Sequence, residues 1–160
     1  MNNNSPPLDG RDTHRSTTHF EARMKNTEIK KQVAEAITAC QEKKAEQINI
    51  LQLEPGSGAF TDYFLICSGT NPRQIQTISD EVEVRLKRAG VYPNSIEGYK
   101  QAEWVLLDYV DFVVHVFSAS ARKYYDLERL WKSAQKLEAA DLLTKPRKRS
   151  ATRARVKKRA

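Results

Sequence analysis

Two apolar hexapeptides, Trp104–Tyr109 (WVLLDY) and Phe112–Phe117 (FVVHVF), stand on either side of Val110-Asp111. Both are rich in β-branched and aromatic residues, and the pair reads as a hairpin. With a two-residue loop, Tyr109 faces Phe112, Asp108 faces Val113 and Leu106 faces His115. Side chains alternate across a strand, so Val105, Leu107, Tyr109, Phe112, Val114 and Val116 share one face. That face is apolar apart from one hydroxyl and is expected to pack on helices. The opposite face carries Trp104, Leu106, Asp108, Val113, His115 and Phe117. An apolar sheet surface interrupted by ionisable groups has the composition of an interaction surface rather than a core.

The rest of the chain supplies the helices. From Thr27 onward, Ile29, Val33, Ala36, Ile37 and Cys40 lie on one helical face, with Asn26 or Thr27 available as cap. Glu46–Leu53 alternates as a strand does and is stopped by Pro55-Gly56-Ser57-Gly58. Asp62–Ser68 is apolar almost throughout, the pattern of a strand covered on both faces. Asn71 then caps a helix, Pro72 occupies its first position, Gln74 sits where a side chain reaches back to the cap, and Gly90 stops it. Ile96-Glu97-Gly98 forms a short edge strand. After the hairpin, Ser118 or Ser120 caps a last helix with Tyr124, Leu127, Leu130, Trp131, Ala134 and Leu137 on its apolar side. The order α-β-β-α-β-β-β-α predicts an α+β fold, a mixed β-sheet packed against helices.

The domain is expected over residues 26–140. Residues 1–25 lack an apolar period and read as a disordered N-terminal extension, and 141–160 as a basic disordered tail. The formal net charge of +7 belongs mainly to that tail. Lys145, Arg147, Lys148, Arg149, Arg153, Arg155, Lys157, Lys158 and Arg159 have no acidic neighbour beyond Asp141. Removing those nine from the 27 basic residues leaves 18 against 20 acidic ones, a slightly acidic domain. A basic tail suits ribose-phosphate through counterion release, and equally serves as a solubilising extension.

Several function classes find no support. No apolar run reaches the roughly 18 residues of a spanning helix, and the first 25 residues lack a secretory apolar region, so the cytoplasm is the simplest location. Cys40 and Cys67 then read as buried free thiols rather than a disulfide. Gly56-Ser57-Gly58 is not followed by the lysine of a phosphate-binding loop. Asp62 lacks the second carboxylate that a metal-dependent nucleotidyl transfer needs, because Tyr63-Phe64 fills its place. His115 has no accompanying nucleophile or metal-ligand spacing. No cofactor, no metal and no catalytic residue is expected.

Three blocks of this sequence resemble the Iojap-like ribosomal silencing factor family: Asp62–Gly90 with its Cys-Ser-Gly-Thr turn and the Arg73-Gln74 pair, Glu97-Gly98 with Ala102–Tyr109, and Asp111–Phe117 with Arg122, Tyr124–Glu128 and Leu130-Trp131. The resemblance runs over about residues 27–132, with the blocks in family order. It implies a nucleotidyltransferase-like fold without the active site. It also implies a non-enzymatic factor that binds the large ribosomal subunit at its intersubunit face, through large-subunit protein fourteen. There it blocks joining of the small subunit and represses translation when nutrients are limiting. The family's interface tryptophan matches Trp104, and Asp108 follows it in the same motif. Leu106, His115 and Phe117 join the expected partner-binding set because they share that sheet face, and the tail residues are the expected contact with ribosomal RNA. The open face also offers self-association into a homodimer away from the ribosome. One departure stands out: family members often have Gly where this chain has Val110. A primed two-residue turn needs a positive φ that a β-branched residue resists, so either the loop is longer or the turn is of another type.

Overall fold

The structure is a computed structural model that describes residues 13–143, with side chains from Glu21 onward. A six-stranded mixed sheet in the order β3-β4-β5-β2-β1-β6 forms its centre. Strand β1 (Glu46–Gln52) pairs antiparallel with β2 (Tyr63–Gly69), and β2 pairs parallel with β5 (Phe112–Ser118). The parallel pair is bridged by α2 (Pro72–Arg88), by the edge strand β3 (Ser95–Glu97) and by β4 (Trp104–Asp108), which pairs antiparallel with both β3 and β5. Every residue of β2 is buried, as its continuous apolar run requires.

Helix α1 (Thr13–Glu42) and α2 cover one sheet face. Ile29, Val33, Ala36, Ile37 and Cys40 of α1 are buried against Ile75, Ile78, Val82 and Leu86 of α2 and against the apolar hairpin face. The ends of α2 follow its sequence signals. The Asn71 side chain accepts from Gln74 N–H at 2.8 Å, and Gly90 (φ 79°) turns the chain so that its N–H reaches Lys87 O and Val91 N–H reaches Leu86 O. Gln74 reaches back one residue further than expected, accepting from the N–H of Thr70 at 2.7 Å.

Three expectations are corrected. Helix α1 begins at Thr13, not near Thr27, so residues 13–25 are helical rather than part of an unstructured extension. Gly10 is the last helix breaker before Ile29, and Glu21–Lys25 is a run of good helix formers. Asn26 therefore lies inside the helix, where its side-chain oxygen accepts from the Tyr63 hydroxyl at 2.8 Å.

The last helix also breaks early. Helix α3 (Ala119–Tyr125) is capped by Ser118 as expected, and then ends at Asp126, whose φ is 45°. A single turn, α4 (Leu127–Leu130), follows, and Leu137 lies not on a helix but in strand β6 (Gln135–Leu137). The apolar spacing fits a helix, but β1 has an open edge, and pairing Ile50 with Leu137 satisfies its backbone while packing Leu137, partly buried, against the core. The third correction follows at the C-terminal boundary. Helix α5 (Ala139–Leu143) lies against α1, so residues 141–143 belong to the folded body. Among the described residues no helix is long and apolar enough to cross a membrane.

The hairpin register is as expected, with Trp104 opposite Phe117, Leu106 opposite His115 and Asp108 opposite Val113. The question of its turn is resolved in favour of another turn type. Val110 adopts φ 69°, Asp111 N–H donates to Tyr109 O at 2.8 Å, and Val110 N–H donates to Asp108 Oδ1 at 2.8 Å. The connection is a three-residue turn centred on Val110, and Tyr109 N–H still reaches Phe112 O at 3.0 Å, which keeps the strands in register.

Candidate docking face

The sheet surface away from α1 and α2 carries a second, smaller core of Leu51, Leu53, Phe64, Ile66, Val113 and Phe117. Helices α3 and α4 cover only part of it. Two such short helices cannot span six strands, and Trp104, Leu106 and Asp108 on β4 remain partly exposed.

Trp104 is held from three sides. Its ring stacks on Phe117 at a centroid distance of 4.9 Å and meets Tyr125 of α3 at 4.6 Å. Its indole N–H donates to Nδ1 of His115 at 3.0 Å. An indole nitrogen only donates, so Nδ1 must be the unprotonated nitrogen of the imidazole and the proton sits on Nε2. His115 is 3% exposed, Nε2 has no hydrogen-bond partner, and Phe64 stands edge-on to the ring at 4.8 Å. Burial pushes the histidine down to about 3, which keeps it neutral near neutral pH. A neutral acceptor fixed in the sheet orients the indole without bringing a charge to the surface.

The five expected partner-binding residues thus divide. Trp104, Leu106 and Asp108 present surface to solvent. His115 and Phe117 lie behind them, Phe117 fully buried, and they bear on a partner only through the ring they support. Asp108 sits at the far end of β4, where one carboxylate oxygen is taken by the turn. Beside it opens a cleft of about 470 Å³ walled by Phe60, Phe64, Val110, Val113 and Trp131. Phe60 is wholly exposed. The face therefore combines a half-buried indole, an aromatic cleft and a carboxylate along one strand.

Tyr125, Phe60 and Trp131 belong to this face and were missed by the sequence reading. Tyr124, expected on the apolar side of the last helix, is 82% exposed, while its neighbour Tyr125 packs from α3 onto Trp104 of β4. No periodicity could reveal this, because the left-handed Asp126 resets the helix direction just beyond them. Tail residues 145–160 lie outside the described residues.

Elsewhere the chemistry is sparse. Gly56 and Gly58 both have positive φ and open space where a Cβ would stand, the geometry of an open turn. Among the described residues no group of three or more His, Cys, Asp or Glu side chains is arranged to hold a metal ion.

Residues 26–160 match the family described as ribosomal silencing factor during starvation. The chain is 40% identical over 109 residues to the ribosomal silencing factor RsfS of Halalkalibacterium halodurans, an alignment spanning 68% of this chain and 92% of that protein. A crystal structure from Bacillus halodurans superposes with a TM-score of 0.58 at 40% identity, covering 66% of this chain and 95% of the other. More distantly, the mouse protein named mitochondrial assembly of ribosomal large subunit protein 1 is 29% identical over 99 residues, 59% of this chain and 42% of its own length. With a family model matched over most of its length and a partly exposed aromatic sheet face, this chain belongs to the ribosomal silencing factor family.

Proposed function

We propose that this protein acts by occupying space on the ribosome. Its sheet face docks on large-subunit protein fourteen at the intersubunit surface of the large subunit, excludes the small subunit and so lowers translation under nutrient limitation. The observation that carries this reading is the constrained exposure of Trp104: a large ring, already immobilised by Phe117, His115 and Tyr125, loses little entropy when a partner covers it. Asp108 supplies a negative group for a basic partner, contributing register and steering more than raw affinity. An interface of the usual size, about 1,600 Å² in total, suffices for tight binding when one such anchor is well placed. The activity needs no bond-making step, so no catalytic residue, cofactor or metal is assigned. A large-subunit partner is also in keeping with the name of the mouse relative.

The test is a sucrose-gradient profile of purified ribosomal subunits under conditions where they associate. Added protein is expected to move material from joined ribosomes to free subunits, and Trp104→Ala to abolish the shift while keeping the far-UV circular dichroism of the parent. An unchanged profile with the parent protein would overturn the reading.

The nine cations of residues 145–160 favour a second contribution, a contact with ribosomal RNA. Deleting 145–160 is expected to weaken association without eliminating it. Complete loss on deletion, with Trp104→Ala still bound, would make the tail the binding element and the domain its carrier.

A further inference from the structure

The corner between α3 and α4 puts Tyr125 on Trp104, yet almost nothing in its own sequence stabilises it. Asp126 takes a left-handed conformation without being a glycine, and α4 is one turn long. Ala121, Leu127 and Trp131 pack on the sheet beneath the corner, and one polar side chain bridges its two halves. Arg122 of α3 reaches across the bend to Glu128 of α4, donating through Nε at 2.9 Å and through Nη2 at 2.7 Å. Its Nη1 donates to Ser68 Oγ on β2 at 2.9 Å. With the Asn49 amide turned so that its oxygen faces the guanidinium, β1 is joined as well, at 3.1 Å from Nη2. The Arg122 side chain is only 10% exposed, so these bonds are largely shielded from water.

We infer that Arg122 is a positioning residue for the docking face: by tying both halves of the corner to the sheet it sets Tyr125 against Trp104. Arg122 itself offers a partner almost no surface. A planar fork with five donors bridges Glu128, Ser68 and Asn49 together, which a lysine's point charge does not. The same bonds hold α4 where Trp131 meets Phe64, edge to face at 5.8 Å, closing the aromatic cluster behind the indole. The inference rests on the docking reading above and extends it to a residue that lies beneath the face.

Two readouts test it on the full-length chain. The first is the indole ¹⁵N–¹H resonance of Trp104, assigned with Trp131→Phe. Arg122→Ala is expected to shift it, because the Tyr125 ring leaves its place, while far-UV circular dichroism stays that of the parent. Arg122→Lys is expected to restore the resonance only in part. The second readout is co-sedimentation with purified large subunits, where Arg122→Ala is expected to cost about tenfold in affinity, the scale of one misplaced interface aromatic. Tyr125→Ala should cost a similar factor, and the double variant no more than either alone, since both changes remove one arrangement.

A loss of thermal stability with the Trp104 resonance and binding unmoved would reduce Arg122 to an ordinary structural ion pair and overturn the inference. Additive losses in the double variant would overturn it too, by making Arg122 a direct contact. Should Arg122→Ala fail to fold, Glu128→Ala releases the α4 half of the clamp and is read in the same two ways. Trp104→Ala separates the two levels of argument. If that variant still binds, the docking reading fails, and the resonance shift continues to test the positioning role by itself.

Discussion

Trp104 and His115 hold each other in one chemical state: the indole donates to Nδ1 over 3.0 Å, and the imidazole accepts only while it is neutral. Each residue alone is a common strand residue. Diagonal to each other across β4 and β5, two positions apart in the register, they make a ring whose orientation is set by the sheet.

That relationship makes stability dependent on pH. His115 lies at about 3 in the folded protein, against the ordinary value of about 6.5 in the unfolded chain. Between these values the unfolded state binds the extra proton, so stability is complete above pH of about 6.5 and is lost as pH falls toward 3, at no more than about 1.4 kcal/mol per pH unit. Urea unfolding between pH 7 and pH 4 measures it. His115→Phe is expected to flatten the acid limb, and an unchanged slope in that variant would show that other groups carry the proton uptake.

Val110 carries backbone strain at the hairpin turn. Its φ of 69° suits glycine, and the residue is 58% exposed, so little packing is lost on removing its side chain. Val110→Gly is expected to stabilise the fold by about 1 kcal/mol, visible as a rise of a few degrees in Tm. The register of β4 and β5 should not change, which cross-strand amide contacts by NMR would verify.

Gly98 is required at the other end of β4. It has φ 77°, and a Cβ there would overlap the Trp104 carbonyl oxygen, a fixed backbone atom. Gly98→Ala is expected to displace the start of β4 and cost about 3 kcal/mol or more, with loss of the Trp104–His115 bond. Chemical denaturation together with the indole resonance reads both effects; a variant with the parent's stability would mean that the loop relaxes freely.

Cys40 and Cys67 are both buried, with their sulfurs 3.9 Å apart. Contact with the Cys67 thiol and burial hold the Cys40 thiol well above its usual range, so it is a poor nucleophile. Iodoacetamide at pH 8 is expected to leave both thiols intact in the native protein and to modify both in denaturant. Rapid native labelling would mean that α1 separates from β2 in solution.

Much of this was legible beforehand, for a local reason. The two hairpin faces follow from period-two alternation, which depends on neighbours in sequence, and every member of the apolar face is in the core. Helix α2 declares both its ends through Asn71, Pro72 and Gly90, whose effects act within one turn. The opposite face was legible as a surface but not as a site. The same alternation that brought His115 and Phe117 into line with Trp104 could not tell which of them a covering element would hide.

Covering is a non-local event, and it is where the reading and the structure part. Tyr124 and Leu127 obey helical spacing as well as any residues in α2, yet Asp126 turns left-handed between them, at a corner that Arg122 bridges to Glu128 and to Ser68 on a strand far away in sequence. Leu137 leaves the helical pattern because β1 has an edge to fill. By itself, then, the sequence determined five of the six strands, their faces and the register of the hairpin, since propensity, alternation and capping are interactions between near neighbours. Only the tertiary structure decided which of those face residues stay exposed and what steadies them, because burial and bridging depend on segments that meet far apart along the chain.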